Sequence, residues 1–418
     1  MSSFRFLHCS DLHIDSPFKG LARVRPELAR RLREAGYQAF QNIVALAISE
    51  EVDAVVIAGD IYDSADKSLQ AQFKFHRGLQ QLSDAGIPTF VAHGNHDPLD
   101  SWSASLERPA NVHIFSGREP QCMPVIRNGR ELAHVHGVSF PRRDIRDNLS
   151  LQFNVKNAEV ISIAVLHANV GADSQHENYA PCTLQDLVSK PFDYWALGHV
   201  HAHKILRQEH PAVVYPGNVQ ARQFREAGPR GCCIVNLTRH SSPQIAFVPI
   251  DAIRFMEDTL DLSGATTLND AVQQAQRRCM DLALQSEGRE SVIRLHLVGR
   301  AEIDGDLRKP QGREDLQGEI QSFLDSQSPP IWVDIQIETA GVYDIETYRN
   351  GSSFISDVLA LYDQTLSEPD REELMALLKP LFEDWPGRNS LDEISEDELR
   401  ELLLQARDLT LNQLIPQD

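Results

Sequence analysis

The sequence predicts an α/β fold for residues 1–250, and three observations lead to this prediction. Short apolar runs alternate with longer amphipathic stretches along this part of the chain. The apolar runs have the length of buried strands, whereas the amphipathic stretches repeat at helical spacing. Several of the apolar runs end in His, Asp or Asn. Alternation of strands and helices is typical of a layered domain in which the strands are buried between helices.

The individual elements follow from the same periodicity. Strands are predicted at residues 4–8, 52–58, 89–92, 160–167 and 194–197. Helices are predicted at about 26–50 and 68–85, where apolar residues recur every three or four positions. From about residue 205 to 250 the chain is rich in β-forming and turn residues, which predicts a second sheet or an antiparallel extension.

Two smaller parts are predicted beyond residue 250. Residues 251–345 combine helices at about 267–285 and 312–325 with strands at 292–298 and 332–338, as expected for a small α+β domain. Residues 346–418 form an acidic helical region with patterns at about 352–366, 370–383 and 394–414. The predicted domains are therefore 1–250, 251–345 and 346–418.

Composition narrows the class of protein. The chain has 418 residues, of which 42% are hydrophobic and 24% are charged, as in ordinary globular proteins. No apolar run approaches the ~20 residues of a membrane span, and the start has no apolar core of a secretory signal. The six Cys residues show no paired spacing, which favours reduced thiols. We therefore expect a cytoplasmic protein that does not contact a membrane.

The net charge of −20 argues against a stand-alone DNA-binding protein, which usually carries a basic excess. The charge is unevenly distributed, however. Residues 350–418 contain 16 acidic and five basic residues and supply more than half of the imbalance. The first part of the chain has three arginine groups, which are either solvated surface or local basic patches: Arg23, Arg25, Arg30, Arg31 and Arg33; Arg142, Arg143 and Arg146; and Arg222, Arg225 and Arg230.

Candidate metal ligands follow the predicted strands. In α/β sheets the carboxyl ends of strands converge on one crevice, so these side chains are expected to meet. A Gly precedes Asp60, Asn95 and His199, and we expect it to let the backbone turn sharply. The donors are oxygen and nitrogen atoms without thiolate, which suits Mn²⁺, Fe, Zn²⁺ or Mg²⁺. They are too many for one tetrahedral ion and suit two ions that share a carboxylate. The candidate ligands are Asp11, His13, Asp60, Asn95, His167, His199 and His201.

A single His at a strand end is more often structural, but this ordered set is hard to produce by chance. The set resembles the five-part signature of the calcineurin-like metallophosphoesterases. The motifs are Asp11-x-His13, Gly59-Asp60, Gly94-Asn95-His96-Asp97, the strand-end His167 and Gly198-His199-x-His201. The resemblance implies a sandwich of two mixed sheets flanked by helices, followed by a small α+β capping domain and an α-helical C-terminal tail.

Further segments are similar to a narrower group, the SbcD-type nuclease subunits of DNA double-strand-break repair complexes and their YhaO-type bacterial branch. These segments span residues 6–13, 178–181, 193–201 and 215–220. The resemblance implies that Asp11, His13, Asp60 and His201 bind a first metal ion. It further implies that a second ion is bound by the bridging Asp60 and by Asn95, His167 and His199.

The same resemblance implies catalytic roles. His96 is expected over the scissile phosphate, where it stabilises charge or protonates the leaving oxygen. Asp63 is expected to hold the His96 imidazole, whereas Asp97 is expected to be structural. The expected reaction is DNA hydrolysis by in-line attack of a metal-bridging hydroxide, with Mn²⁺ as the family-based expectation. Whether the enzyme is an exonuclease or an endonuclease stays open.

Two other functions remain open from the sequence. One is a phosphodiesterase or phosphatase for a small nucleotide or other small phosphoester, since its metal centre would be identical. The other is a non-catalytic scaffold, which the intact ligand set disfavours. The resemblance also implies an SbcC-like ABC-type coiled-coil ATPase as partner. We expect it to bind the C-terminal region, for example through Leu399, Leu402 and Leu403, and self-dimerisation is common in the resembled proteins.

Overall fold

The computed structural model describes residues 3–16, 25–63, 67–127, 129–155, 157, 159–171, 177–239, 241–309, 311–342, 344–367, 374, 376 and 395–415. The predicted helix at 370–383 lies outside this part of the chain except for residues 374 and 376, and Arg23 also lies outside it.

A first six-stranded sheet contains β1 (Ser3–Cys9), β2 (Ala54–Ala58), β3 (Thr89–Ala92), β4 (Val112–Ile114), β11 (Gly231–Thr238) and β12 (Gln244–Pro249). Its order is β12-β11-β1-β2-β3-β4. Strands β1 to β4 are parallel to one another, while β11 and β12 join them antiparallel. The sheet is therefore mixed, and its parallel part consists of the three early predicted strands and β4, which the sequence did not predict.

A second six-stranded sheet contains β5 (Gln121–Arg127), β6 (Arg130–Gly137), β7 (Ile161–His167), β8 (Tyr194–Gly198), β9 (Lys204–Arg207) and β10 (Ala212–Tyr215). Its order is β5-β6-β7-β8-β10-β9, with parallel pairs in the middle and an antiparallel pair at each edge. The region after residue 205, for which the sequence allowed either a second sheet or an antiparallel extension, contributes strands to both sheets. Strands β9 and β10 extend the second sheet, whereas β11 and β12 extend the first.

In the part of the chain that the structure describes, the α-helices with defined ends are α1 (Pro26–Ser49), α2 (Leu69–Asp84), α3 (Leu184–Val188), α4 (Leu268–Leu284), α5 (Asp304–Leu307), α6 (Gly312–Leu324), α7 (Ile345–Arg349), α8 (Phe354–Ser367) and α9 (Glu396–Leu414). Pro26 starts α1, where the missing N–H costs nothing. Ser68 caps α2 by accepting from the Ala71 N–H at 3.1 Å. These ends agree with the predicted helices to within a residue or two.

The two six-stranded sheets pack face to face. One apolar cluster contains inward-facing residues of both sheets, among them Phe4, Phe6, Val135, Ile163 and Tyr194. A second cluster joins the outer face of the first sheet to α1 and α2, and a third covers the outer face of the second sheet. Burial of each large apolar side chain contributes about 1.5–3 kcal/mol, so this layering is the main source of stability. The predicted sandwich of two mixed sheets with helices is confirmed.

Cα packing divides the chain into two units, one of residues 1–256 with 286–292 and one of residues 257–285 with 293–418. A three-stranded sheet has the order β13-β14-β15, with β13 (Ile253–Asp261), β14 (Glu290–Val298) and β15 (Ile331–Ile337). In the second unit, α8 and α9 pack together around the buried Leu359, Leu411 and Ile415. In the part of the chain described, no helix is long and apolar enough to cross a membrane. The three domain boundaries stay predictions.

Candidate metal centre

The candidate ligands meet at the carboxyl ends of parallel strands in both sheets. Asp11 and His13 follow β1, Asp60 follows β2 and Asn95 follows β3 in the first sheet. His167 ends β7, and His199 and His201 follow β8 in the second sheet. All of these side chains are buried except that of His201, which is half-buried. The face-to-face packing of the two sheets therefore brings together groups that are up to 190 positions apart in sequence.

The backbone at this edge is strained. Asp11, His13, Asp60 and His199 have φ values of 52°, 43°, 51° and 104°, in the left-handed region that L-residues rarely adopt. Such conformations cost roughly 1–3 kcal/mol each and persist only where the surroundings determine them. Main-chain hydrogen bonds from Asp11 N to Gly59 O (3.0 Å) and from His13 N to Asp60 O (3.1 Å) hold the first two loops together.

The predicted turning role applies to Gly59 but not to the other two glycines. Gly59 has φ +96°, and a Cβ there would lie 2.3 Å from His167 Nδ1. Gly94 and Gly198 do not have positive φ; they are needed for space, because a Cβ would lie 2.2 Å from Asp60 Oδ1 and 1.9 Å from Ala58 O, respectively. Close approach is therefore the main reason for glycine here, between the two sheets at Gly59 and Gly198 and within the first sheet at Gly94.

The first group of ligands is centred on two facing imidazoles. His13 Nε2 and His201 Nε2 lie 3.1 Å apart. Their other nitrogens face carboxylates, since His13 Nδ1 lies 3.2 Å from Asp63 Oδ1 and His201 Nδ1 donates to Glu226 Oε1 at 2.8 Å. Glu226 accepts from His201 Nδ1, whereas His13 Nδ1 is close to Asp63 but makes no hydrogen bond to a residue that the structure describes. In the tautomers with Nδ1 protonated, the two Nε2 lone pairs point at one space.

A divalent ion fits that space. Two nitrogens bound to one ion at ~2.1 Å lie about 3.0–3.4 Å apart for bond angles between 90° and tetrahedral. Asp11 completes the group, with Oδ1 3.9 Å from His201 Nε2. One ligand atom from each of Asp11, His13 and His201 lies within 4.8 Å of the others. All three are residues predicted for the first ion.

The second group contains Asp11, Asp60 and His167, whose ligand atoms also lie within 4.8 Å of one another. His167 Nε2 is 3.0 Å from Asn95 Oδ1 and 3.4 Å from Asp60 Oδ2, and its Nδ1 donates to Ala58 O at 3.0 Å. Asp11 thus belongs to both groups by distance, whereas the sequence prediction placed Asp60 between the ions. Asp60 Oδ1 also accepts a hydrogen bond from the main-chain N–H of His96 at 3.0 Å.

Charge at this second group also fits a cation. Burial alone would lower the pKa of His167, but the Asp60 and Asp11 carboxylates outweigh it and raise that pKa to about 9. Burial likewise opposes ionisation of Asp60, yet its histidine neighbours, His167 foremost, hold its pKa well below the usual range. The proton on His167 Nε2 lies beside Asn95 Oδ1 and Asp60 Oδ2. A metal ion in its place would be bound by the same nitrogen and oxygen atoms.

His199 is placed less directly. The main-chain N–H of His199 donates to both Asp11 carboxylate oxygens, at 3.2 and 3.1 Å. The centroid of its ring lies 5.2 Å from that of the His167 ring. Its Nε2 donates to the main-chain O of Glu177 at 2.8 Å, which leaves Nδ1 as the basic nitrogen. Burial, followed by the His167 charge, lowers the pKa of His199 to about 4, so the ring is neutral at pH 7. Its role as a ligand stays a prediction.

His96 and Asp63 are brought together, but through different atoms than the sequence indicated. His96 Nδ1 donates to the main-chain O of Asp63 at 2.8 Å. The Asp63 carboxylate instead contacts His13 and forms an ion pair with Arg222. The His96 ring stands edge-on to His13, with centroids 5.1 Å apart. Asp97 accepts from the N–H groups of Ile61 and Gly94, as expected for a structural residue.

Two residues of the site were missed by sequence reasoning. Glu226 is buried and accepts from His201 Nδ1 and from Asn218 Nδ2 at 2.9 Å. Burial would raise its pKa, but the His201 hydrogen bond dominates and lowers it to about 2. The sequence indicated Arg222 only as a surface cation, yet it binds Asp63. Their only sequence signal is that both follow the 215–220 segment, since neither stands at a strand end.

The arginine groups differ in their placement. Arg30 and Arg31 pair with Glu27 and Glu290, so they are not an open basic patch. Arg146 lies over the Tyr179 ring at 5.3 Å, and that ring is 6.0 Å from the His199 ring. Arg146 lies near the candidate centre, but its guanidinium pairs with Asp144 at 2.6 Å, so it is not an open basic patch either.

Comparison with known proteins agrees with this geometry. Residues 4–203 match the calcineurin-like phosphoesterase family, and residues 255–340 match the middle domain of the metallophosphoesterase YhaO. The uncharacterized metallophosphoesterase YhaO of Bacillus subtilis is 29% identical over 99% of this chain and 98% of that protein. The SbcD component of the nuclease SbcCD from Escherichia coli is 24% identical over 95% and 96%. The DNA double-strand break repair protein Mre11 of Aeropyrum pernix is 26% identical over 75% and 78%.

The strand-end donors, the double-sheet architecture and these matches lead to one conclusion: the chain contains a calcineurin-like metallophosphoesterase domain and is a homologue of YhaO, of the SbcD component of SbcCD and of Mre11 family members.

Proposed function

We propose that this metallophosphoesterase hydrolyses phosphodiester bonds of DNA with two divalent metal ions, Mn²⁺ being the expected ion. The observation that carries the proposal is the pair of adjacent ligand groups that share Asp11, with His96 beside them. Two ions at such a centre would supply positive charge for the phosphate oxygens and an activated water. A nuclease function is supported by the names of two relatives, a component of a nuclease and a double-strand break repair protein.

The chain's own residues have separable tasks in this proposal. Asp11, His13 and His201 bind one ion, and Asp60, Asn95, His167 and His199 bind the other, with Asp11 or Asp60 between them. Glu226 and Asp63 fix the orientation of His201 and His13, because their carboxylates face the Nδ1 atoms. The strained loops fix the ligands before substrate arrives, which limits reorganisation during the reaction.

His96 is the proposed acid. Its Nδ1 proton is held by the Asp63 carbonyl, so Nε2 is the atom left to face a phosphate. In its protonated form it would donate to the leaving 3′-oxygen. Arg146 and Arg222 lie near the centre, but each pairs with a carboxylate, Asp144 and Asp63 respectively, so they add little net positive charge to an acidic chain. We therefore expect DNA binding by this chain alone to be weak and sensitive to salt.

The experiment compares the native protein with His96→Ala, both supplied with Mn²⁺, on linear DNA, hairpin DNA and a generic aryl phosphodiester. We expect His96→Ala to retain its metal ions and to lose roughly 10²–10⁴-fold in rate. Unchanged nuclease activity with metal still bound would contradict the role of His96. Hydrolysis of the aryl ester without hydrolysis of either DNA would contradict the DNA substrate and favour a small phosphoester.

We also propose a partner, an SbcC-like ABC-type coiled-coil ATPase that contacts residues 350–418. One relative is named as part of SbcCD, which supports the idea of a complex. Of the three predicted contact residues, Leu399 is buried and Leu403 half-buried, while Leu402 is exposed. Leu361 and Leu409 are 63% and 62% exposed on α8 and α9 and are better candidates.

Deletion of residues 350–418 should abolish ATPase association and leave hydrolysis of the aryl phosphodiester intact. Loss of that hydrolysis would show that the tail belongs to the catalytic fold, and retained association would exclude the tail as the contact. Three further proposals remain. Location in the cytoplasm rests on the cysteine spacing and the start of the sequence, the domain division at residues 250 and 345 on the sequence pattern, and self-dimerisation on the resemblance.

A further inference from the structure

A second set of potential metal ligands lies on the β5–β6 hairpin. Cys122 is directly opposite His136 in the antiparallel register, and Pro124 is opposite His134. Residues two apart on a strand, and residues directly opposite on its neighbour, point to the same face of a sheet. Cys122, His134 and His136 therefore share one face, while Val125 and Val135 of the same strands point into the core between the sheets.

The three side chains converge. The Cys122 sulfur and one nitrogen of each His lie within 4.8 Å of one another, and Sγ is 3.6 Å from His136 Nε2. His136 is buried, with its ring edge-on to Phe192 at 5.1 Å. Cys122 is half-buried and is not in a disulfide. None of these residues belongs to the strand-end ligand groups.

His134 adds an independent indication. Its Nε2 contacts the Glu131 carboxylate, which must accept the Nε2 proton. Its Nδ1 therefore carries a lone pair, and that atom is buried without a hydrogen-bond partner. A buried polar atom left unpaired costs about 1–3 kcal/mol. Metal-bound histidines usually donate their other ring N–H to a carboxylate or carbonyl, and His134 has such a carboxylate contact through Nε2.

We propose that Cys122, His134 and His136 bind a single transition-metal ion of the Zn²⁺ class, separate from the dinuclear centre. One thiolate and two imidazoles suit Zn²⁺ and leave a fourth position for water or another ligand. Among the strands that the structure describes, β5 lies at the edge of the second sheet, with β6 as its neighbour. The ion would link Cys122 of β5 to His134 and His136 of β6 and so hold the edge strand β5 in register.

The thiolate gives the site a distinctive signal. Co²⁺ bound to a thiolate shows a sulfur-to-metal charge-transfer band in the near ultraviolet, which ligands of oxygen and nitrogen alone do not produce. The full chain is stripped of metal and titrated with Co²⁺. We expect the band to appear in the native protein, to disappear in Cys122→Ser and to persist in His201→Gln, which alters only the strand-end centre.

Two further measurements keep the proposal testable if Cys122→Ser does not fold. Glu131→Gln should keep the band but weaken Zn²⁺ affinity by about 10–100-fold. Zn²⁺ should also protect Cys122 of the native protein from alkylation, whereas the alkylation of Cys182, a control thiol elsewhere in the fold, should not change. Absence of the band in the native protein, or a band that survives Cys122→Ser, would overturn the proposal, as would alkylation of Cys122 that Zn²⁺ leaves unchanged.

Discussion

His13 Nε2 and His201 Nε2 face each other at 3.1 Å, although 188 positions separate these residues in the chain. The Nδ1 atom of each faces a carboxylate, from Asp63 and Glu226, respectively. This arrangement supports the proposal that both imidazoles bind one metal ion through Nε2. In this proposal the affinity for the metal ion depends on the two carboxylates as much as on the two imidazoles.

Glu226→Gln should weaken binding of one metal ion by about 10–100-fold, because the neutral amide no longer holds the His201 Nδ1 proton with a charged acceptor. Hydrolysis of an aryl phosphodiester should fall at limiting metal and recover at saturating metal. Glu177→Gln is the matched control, since Glu177 contacts His199 through its main-chain O. Isothermal titration with Mn²⁺ measures the difference; equal affinities of the two variants would contradict this role of Glu226.

Asp63→Asn should be less harmful to catalysis than His96→Ala at saturating metal. The Asp63 main-chain carbonyl still accepts from His96 Nδ1 in this variant, whereas the charge facing His13 is lost. We therefore expect the affinity for the metal ion to fall by about 10–100-fold, so that the loss of activity disappears when metal is saturating. If kcat at saturating Mn²⁺ falls as far as in His96→Ala, the carboxylate itself takes part in the reaction.

Gly59→Ala should destabilise the protein and impair metal binding together. The residue has φ +96°, and an added Cβ would lie 2.3 Å from His167 Nδ1. Gly86→Ala is a control for backbone strain alone, since Gly86 has φ +74° and nothing within 4 Å of the added Cβ. Strain at such positions costs roughly 1–3 kcal/mol. Urea unfolding and metal content should show that only the Gly59 variant also loses metal; similar metal content would contradict the packing argument.

Stability should decrease as the pH falls from about 6.5 toward 3, partly because of His8. Burial lowers the pKa of His8 to about 3 from an ordinary value of 6.5. In this window the unfolded chain binds a proton that the folded chain does not, so stability is fully present above the unfolded pKa and is lost with acid. One proton corresponds to about 1.4 kcal/mol per pH unit.

His8→Asn removes the group that binds this proton in the unfolded chain. The free energy of unfolding should then change less steeply with pH, by up to one proton, although the variant also loses hydrogen bonds to Tyr194 OH and Leu197 O. Chemical denaturation at several pH values measures the slope. A slope that the substitution leaves unchanged would mean that His8 is protonated in the folded state.

Leu411→Ala and Leu409→Ala should separate folding from partner binding on α9. Leu411 is fully buried against α8, so its truncation should cost about 2–5 kcal/mol of local stability and expose α9 to proteolysis. Leu409 is 62% exposed, and its truncation should leave proteolysis unchanged while weakening association with the proposed ATPase. Proteolysis of both variants at equal rates would contradict the α8–α9 packing.

Much of the fold could be predicted from local pattern. The period of apolar residues placed α1, α2, β1 and β3 within about two residues, because helix and strand periodicities depend on near neighbours in the chain. The β5–β6 hairpin was missed, since its outward face carries Cys122, His134 and His136 and does not show simple alternation of apolar and polar residues. The antiparallel attachment of β11 and β12 to the first sheet was one of two open alternatives.

The sequence alone identified which residue types could bind metal, because strand-end Asp, Asn and His have the chemistry of metal ligands wherever they stand. Only the tertiary structure decided which of them meet. It brought His13 to His201, gave Asp11 a place in both ligand groups, and assigned Glu226 and Arg222 supporting contacts. It also showed that His96 is held by a main-chain carbonyl rather than by the Asp63 carboxylate. The physical reason is that local periodicity determines each strand and helix, whereas distances between side chains on two sheets depend on how those sheets pack.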